Sequence, residues 1–287
     1  MVCLPDVCLS KTFYILEKTY IITAKMFTIL LEGLTKLNIK MIVTDLDGTL
    51  LREDKTISER SLSALGYCRT KGIKLAYATG RGESSKILAP SELFDGFVRV
   101  NGATAHVGDT LIYEKLISSE SVRDLLIAAD RAGVKIAAER NGVHHANFNV
   151  TKEWTWIQHY VDADFNTLDI EIEKIFALVD SPEVPKQISR HLTPGLYLNV
   201  SRDDMAMVMH EDAVKSKAVA ALAEHWGIKQ SEIVAFGDDT NDIDLLKYCG
   251  VAVAMGNALD EIKTVSDHIC DINDNDGLAK WLEENVM

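Results

Sequence analysis

Several things are scarce in this chain, and each scarcity removes a class of protein. Cysteine is limited to positions 3, 8, 68, 249 and 270, an odd number with no Cys-x-x-Cys. A disulfide framework is therefore not expected, and a reducing cytoplasm fits best. Cys68 and Cys249 lie in segments of apolar periodicity and read as small core residues. Long apolar runs are also missing. Glu17, Lys18, Lys25 and Glu32 cut the apolar runs of the first forty residues. No stretch approaches the roughly 18 apolar residues of a membrane span. The unbroken apolar region and small-residue cleavage site of a signal peptide are not visible either. Positive charge is short: 30 Lys and Arg face 43 Asp and Glu, for a net charge of −13. That balance argues against non-specific nucleic-acid binding, which needs a basic surface. It leaves a phosphorylated substrate open, because a local cation reverses the sign inside one pocket.

What remains is an ordinary globular composition, 47% apolar and 25% charged, over 287 residues. That length accommodates one large domain or two of about 100–200 residues each. The first forty residues stand apart, carrying five lysines against three acids. Phe13 to Leu34 reads as an amphipathic helix, but Met41 opens the first strand and would be a natural start. We expect residues 1–40 to be an extension peripheral to function.

From Met41 strand and helix signals alternate, the pattern of a parallel sheet with helices on both faces. Thr56-Ile57-Ser58-Glu59 resembles a capping box opening a helix that Gly72 stops. Ile73–Ala78 is a continuous apolar strand ending in Thr79-Gly80-Arg81. Phe97–Val100 leads to Asn101-Gly102 and a hairpin around Gly108-Asp109. After Ser118 the character changes: helix and hairpin, then a strand, then helix and hairpin again, as far as His210. Asn141-Gly142 marks a tight turn in the first of these hairpins. Residues 151–169 resist assignment. The alternating pattern resumes with a helix over Lys215–Trp226 closed by Gly227. Strand Ile233–Phe236 then runs into Gly237-Asp238-Asp239-Thr240-Asn241-Asp242, and Gly277–Glu284 is a final helix.

The most informative run is Ile42-Val43-Thr44-Asp45-Leu46-Asp47-Gly48-Thr49. A β-branched strand ends in two carboxylates one residue apart, and side chains two apart share a face while a strand continues. The glycine allows the chain to break into a loop, leaving both acids at the strand tip, where open parallel sheets bind ligands. Acids this close must share a cation or a proton, and oxygen ligands suit Mg²⁺. Asp-x-Asp-Gly is also ordinary turn chemistry. Thr79, ahead of Gly80, supplies a hydroxyl and the free N–H groups of a turn, a cradle for phosphate; an N-cap threonine is the alternative. Arg81 reads equally as an anion ligand and as a surface charge. Asp242 begins a helix, where carboxylates are favoured in any case.

Taken in order, the Asp45-Leu46-Asp47-Gly48-Thr49 run, Thr79-Gly80, the lysine pair Lys215-Ser216-Lys217 and Gly237-Asp238 through Asp242 resemble the motifs of the haloacid dehalogenase-like hydrolases. The closer resemblance is to Cof-type phosphatases, and it spans Met41 to the C-terminus. It implies an α/β fold: a Rossmann-like parallel-sheet core over 41–118 and 211–287, with an inserted α/β cap over 119–210. It implies a Mg²⁺-dependent phosphatase acting on a small phosphorylated metabolite such as a sugar phosphate, through an aspartyl-phosphate. Asp45 is then the nucleophile and Asp47 the general acid and base, its pKa raised by crowding from Asp45. Thr79, Gly80, Lys215 and Asn241 hold the phosphoryl group. Asp45, Asp47, Asp238 and Asp242 form the metal site, Asp47 in the family through its backbone carbonyl. Ser216 stands where the family usually has glycine, so Lys217 remains an alternative to Lys215. A phosphomutase, or a silent binding protein of the same fold, are the competing functions.

Three other features are set aside. Asp271 to Gly277 resembles a calcium loop, but its glycine falls one place late and the glutamate at position twelve is missing. His144-His145 has no third ligand nearby in sequence and reads as an exposed hairpin of the cap, with a substrate contact as the alternative. Trp154 and Trp156 read as packing residues.

Overall fold

Strand β1 (Met41–Thr44) buries all four of its side chains. A strand apolar on both faces belongs inside a parallel sheet with layers on either side. The computed structural model places it there and describes residues 37–287 except 91, 155, 156, 158 and 201–203. Nearly all of the expected 1–40 extension, and Trp156, lie outside the described residues.

Helix α1 (Glu59–Thr70) follows β1 and leads to β2 (Lys74–Ala78). The α1 N-cap is Ser58, whose hydroxyl accepts from the Ser61 N–H, and not the Thr56 of the expected capping box. Thr56 is already engaged: its N–H and hydroxyl both donate to Asp54 Oδ1, at 3.0 and 2.6 Å. A short helix α2 (Ser85–Leu88) and strand β3 (Gly96–Arg99) come next. The expected hairpin is β4 (Thr104–Val107) and β5 (Thr110–Glu114).

The chain then leaves the sheet. Strand β6 (Ile117–Ser118) precedes α3 (Ser119–Arg131), β7 (Ile136–Arg140), β8 (Val143–Ala146), α4 (Val150–Glu153) and β9 (Tyr160–Asp162). Strands β10 (Glu171–Ile172) and β11 (Lys174–Leu178), helix α5 (Glu183–Arg190), and strands β12 (Leu196–Val200) and β13 (Met205–His210) complete the excursion. The unassigned 151–169 region therefore supplies one edge strand, β9, parallel to β8. The six-stranded sheet of this insert runs β12-β13-β11-β7-β8-β9. One face packs on α3 and α5 through Leu125, Leu126, Ile136, Ile175, Val184 and Ile188. The other carries Ala137, Phe176 and Met207. β6 and β10 pair separately in a two-stranded ribbon.

The return is through α6 (Lys215–Trp226), β14 (Ile233–Gly237), α7 (Ile243–Tyr248), β15 (Val251–Ala254), α8 (Asp260–Val265), β16 (His268–Ile269) and α9 (Gly277–Asn285). The core sheet runs β16-β15-β14-β1-β2-β3-β4-β5, parallel as far as β3 and antiparallel at the hairpin. From β1 the chain winds outward to β2 and β3 on one side, and after the insert it occupies the other. The order reverses between β1 and β14, and a ligand crevice is expected outside the strand tips at such a point.

Departure and return are tied together. Tyr113 Oη donates to the Asp212 carbonyl at 2.7 Å, and the Lys115 N–H donates to the Ala103 carbonyl at 2.8 Å. Gly102, after β3, has φ +103°, and a Cβ there would lie 2.3 Å from the Val214 backbone, immediately before Lys215. Only glycine permits that approach. Among the described residues no helix is long and apolar enough to cross a membrane.

Gly133, by contrast, has φ +75° with open space around it. Alanine at Gly133 should cost about 1 kcal/mol from backbone strain alone. Alanine at Gly102 adds a backbone collision and should cost at least about 1 kcal/mol more than that. Urea denaturation of the two variants checks the difference; equal costs would contradict the close approach.

Candidate active site

The tips of β1, β2 and β14 are followed by Asp45, Thr79 and Asp238, so three segments distant in sequence meet at one sheet edge. Asp45 is held by its N–H, which donates to the Phe236 carbonyl at 3.0 Å. Thr49 Oγ1 donates to Asp238 Oδ1 at 2.8 Å, fastening the first motif to the last. Gly48 makes room for that contact: with φ +76°, a Cβ there would fall 2.4 Å from Asp238 Oδ2.

Lys215 is the first residue of α6 and is completely buried. Its Nζ donates to Asp45 Oδ1 at 2.7 Å and to Asp242 Oδ1 at 2.6 Å. Burial alone would lower the lysine pKa; Asp242 and Asp45 overcome that and hold it above its ordinary value. Asp242 is itself locked, its other oxygen accepting from the Asp238 and Asp239 N–H groups at 3.0 and 3.2 Å. The Ser216 N–H at the same helix start donates to Asp244 Oδ2 at 2.7 Å. Lys217 points elsewhere, half-exposed and paired with Asp212.

Asp45, Asp238 and Asp242 are buried and each offers a carboxylate oxygen within 4.8 Å of the others. Burial, with Asp242 and Asp238 adding, raises Asp45 well above the usual carboxylate range although Lys215 opposes it. Three buried carboxylates around one ammonium leave an excess of negative charge. A hard, all-oxygen donor set of that kind fits Mg²⁺.

Asp47 is placed differently. The strand ends at Thr44, so the alternation that would aim Asp47 alongside Asp45 does not continue. Its carboxylate is part-exposed and gripped by Arg81, Nη2 to Oδ1 at 2.7 Å with Nε on the other oxygen, and by Lys55 Nζ at 2.9 Å. Burial would raise its pKa, but Arg81 and Lys55 hold it below the usual value, opposite to the direction expected from crowding by Asp45. The Asp47 carboxylate is not in the three-acid group.

Thr79 is buried and its hydroxyl accepts from the Arg81 N–H at 3.2 Å. Gly80 lies beside Asn101, whose Oδ1 accepts from Asn241 Nδ2 at 2.9 Å. Lys174, on β11 of the insert, pairs with Glu139 at 3.2 Å and donates to the Gly80 carbonyl at 3.3 Å. His144 is buried on the same face of the insert, edge-on to Phe176, and not on an exposed hairpin. Trp154 packs on Phe176 as well.

Sequence reasoning passed over Lys55, Thr49, Asn101 and Lys174. Lys55 and Lys174 carry no local signal, because what matters is the loop or strand that faces them. Thr49 sits inside the motif but reveals its partner only when the last motif is beside it. The calcium-like loop is occupied by structure: Asp271 pairs with Lys280 and Asp276 with Arg52.

A family model described as haloacid dehalogenase-like hydrolase matches residues 42–282. Among curated relatives, the 5-amino-6-(5-phospho-D-ribitylamino)uracil phosphatase YitU of Bacillus subtilis is 28% identical over 267 residues, covering 85% of this chain and 96% of its own. YcsE, of the same activity and organism, is 27% identical over 256 residues, covering 87% and 97%. Among solved structures, the subclass IIB sugar phosphatase BT4131 superposes with a TM-score of 0.76 at 26% identity, covering 85% of this chain and 98% of that one. The chain therefore belongs to the haloacid dehalogenase-like hydrolases, among the Cof-type phosphatases with an inserted α/β cap.

Proposed function

We propose that the protein hydrolyses a small phosphorylated metabolite, a sugar or polyol phosphate, in the cytoplasm, through a phosphoryl group carried on Asp45. The observation that carries this reading is the buried Lys215 ammonium bridging Asp45 and Asp242. It fixes one carboxylate oxygen of Asp45 and leaves the other for attack. Relatives acting on a phosphorylated ribitylaminouracil and a sugar phosphatase of the same fold support the substrate class. Free thiols at Cys68, Cys249 and Cys270 suit a reducing compartment.

In the first step an Asp45 oxygen attacks phosphorus in line, the ester P–O bond breaks, and the departing alkoxide takes a proton from Asp47. In the second, water attacks phosphorus, the bond to Asp45 breaks, and Asp47 takes the proton of water. With Arg81 and Lys55 on it, Asp47 is a carboxylate and suits the second step; serving the first requires Arg81 to let go. Lys215 offsets the charge that Asp45 and the phosphoryl oxygens bring together. The Thr79 hydroxyl, the Gly80 backbone and Asn241 hold those oxygens. Asp45, Asp238, Asp242 and the Asp47 backbone carbonyl would hold Mg²⁺, which supplies charge neutralisation of the phosphoryl group when bound. The inserted domain over 119–210 closes the site against water and contacts the leaving group, with Lys174 donating to the Gly80 carbonyl and pairing with Glu139.

Asp45→Asn should lower turnover of an aryl phosphate by at least about a thousandfold. Activity within tenfold of wild type would remove Asp45 as nucleophile. Lys215→Met should cost about a hundredfold or more in kcat, whereas Lys217→Ala, altering a half-exposed pair, should stay within about twofold. Parallel kinetics on the two variants distinguish the lysines. Chelation with EDTA should reduce activity at least about tenfold, and added Mg²⁺ should restore it. A screen of phosphorylated metabolites compared by kcat/KM then identifies the substrate.

A further inference from the structure

A cavity of about 300 Å³ opens beside the outer hairpin of the core, and none of Asp45, Asp47, Thr79, Lys215, Asp238 or Asp242 lines it. Its floor is a row across three strands: Phe97 on β3 stands opposite His106 on β4, which stands opposite Leu111 on β5. The Phe97 and His106 rings stack with centroids 5.0 Å apart and planes 18° from parallel. Burial, with Arg99 and Lys86 adding, pushes the His106 pKa down to about 4, so the ring is neutral at pH 7. The floor is uncharged, although the buried Nδ1 of His106 has no hydrogen-bond partner among the described residues.

The two ends carry opposite charge. At one, Lys86 and Arg99 share the single carboxylate of Glu83, leaving a surplus positive charge. At the other, Arg140 lies 3.1 Å from Glu114 and 3.7 Å from Glu173, leaving a surplus negative charge. Asp109 also lines the cavity, from an exposed turn where water screens it. Two of these groups are deeply buried. Arg99 is 6% exposed, with its guanidinium 4.7 Å above the Phe97 ring. Its Nη1 is on Glu83, while its buried Nε has no hydrogen-bond partner among the described residues. A buried N–H without a partner is unfavourable, and a carboxylate is the partner that the planar fork of arginine fits best. Glu173 is also 6% exposed; burial, with Glu139 adding, raises its pKa although the Asn141 N–H, Arg140 and Arg99 oppose it.

We propose that this cavity binds a free α-amino acid with an apolar side chain, its carboxylate on Arg99, its ammonium on Glu173 and its side chain on the Phe97–His106–Leu111 floor. A zwitterion matches both ends. A simple carboxylate would meet only the positive end, and a simple amine only the negative one. The volume lies at the small end of ligand sites, which limits the ligand to amino-acid size. Asn141, in the hairpin turn of the insert, closes the wall by donating its N–H to Glu173 at 3.1 Å.

Calorimetric titration of the full chain with L-phenylalanine, L-leucine, 3-phenylpropionate and phenethylamine tests the assignment. At least one of the two amino acids should bind saturably, at least about tenfold tighter than either single-charge analogue. Arg99→Gln should weaken that amino acid and the carboxylate analogue; Glu173→Gln should weaken that amino acid and the amine. Asp45→Asn should bind it as wild type does, which keeps this site apart from the catalytic one. Because Arg99 and Glu173 are buried, Leu111→Trp at a position 45% exposed provides a variant that keeps the fold while filling the floor, and it should abolish binding. No saturable binding of either amino acid up to about 10 mM, equal binding of all four compounds, or binding unaffected by Leu111→Trp would overturn the proposal.

Discussion

One ammonium holds the candidate site together. Lys215 is buried without access to water, and an uncompensated charge in such a place costs several kcal/mol. It is tolerated because Asp45 and Asp242 both face it at hydrogen-bond distance. The same arrangement explains why these three residues come from three separate elements. The β1 tip brings Asp45, the turn after β14 brings Asp242, and the start of α6 brings Lys215 between them. Lysine is disfavoured at the positive end of a helix dipole. Here the two carboxylates reverse that preference, so the position makes sense only in the assembled core.

The arrangement also divides the acids into two kinds. Asp45, Asp238 and Asp242 are buried, crowded and short of positive charge. Asp47, two residues from Asp45, is part-exposed and held by Arg81 and Lys55. Two neighbouring carboxylates thus differ in proton affinity: burial, with Asp242 and Asp238 adding, outweighs Lys215 at Asp45, whereas Arg81 and Lys55 outweigh burial at Asp47. A proton donor and a nucleophile need that kind of separation. In the geometry described, Asp47 is on the charged side of it.

Much of this was legible in the sequence because the strands of the core are buried on both faces and announce themselves. Met41–Asp45 and Ile233–Phe236 read as strands from composition alone, and Asp45 and Asp238 at their ends mark the crevice. Helix α6 ends at Gly227, where the chain takes a left-handed conformation, as the glycine indicated. Short edge pieces were not legible: β6, β9, β10 and β16 are two or three residues each, too few to establish a period. The Thr56 cap failed for a local reason, since Asp54 competes for the same hydroxyl. The partner of Asp47 was out of reach for a different one. Arg81 reads equally as an anion ligand and as a surface charge until the loop after β2 is set beside the loop after β1. Local pattern fixes what a residue is suited for, and only tertiary contact decides which neighbour it meets.

The clasp between Tyr113 and the Asp212 carbonyl brings the exit and re-entry of the insert to one spot on the core. A polymer that leaves and returns through adjacent points imposes no stretch on its host, whatever its contour length. The sheet carrying the acids thus feels the excursion only as a closed loop at its rim, in the way a purse is indifferent to what hangs from its drawstring. Such a joint allows the outer module to be lengthened, trimmed or exchanged wholesale while the chemistry beneath it keeps its coordinates.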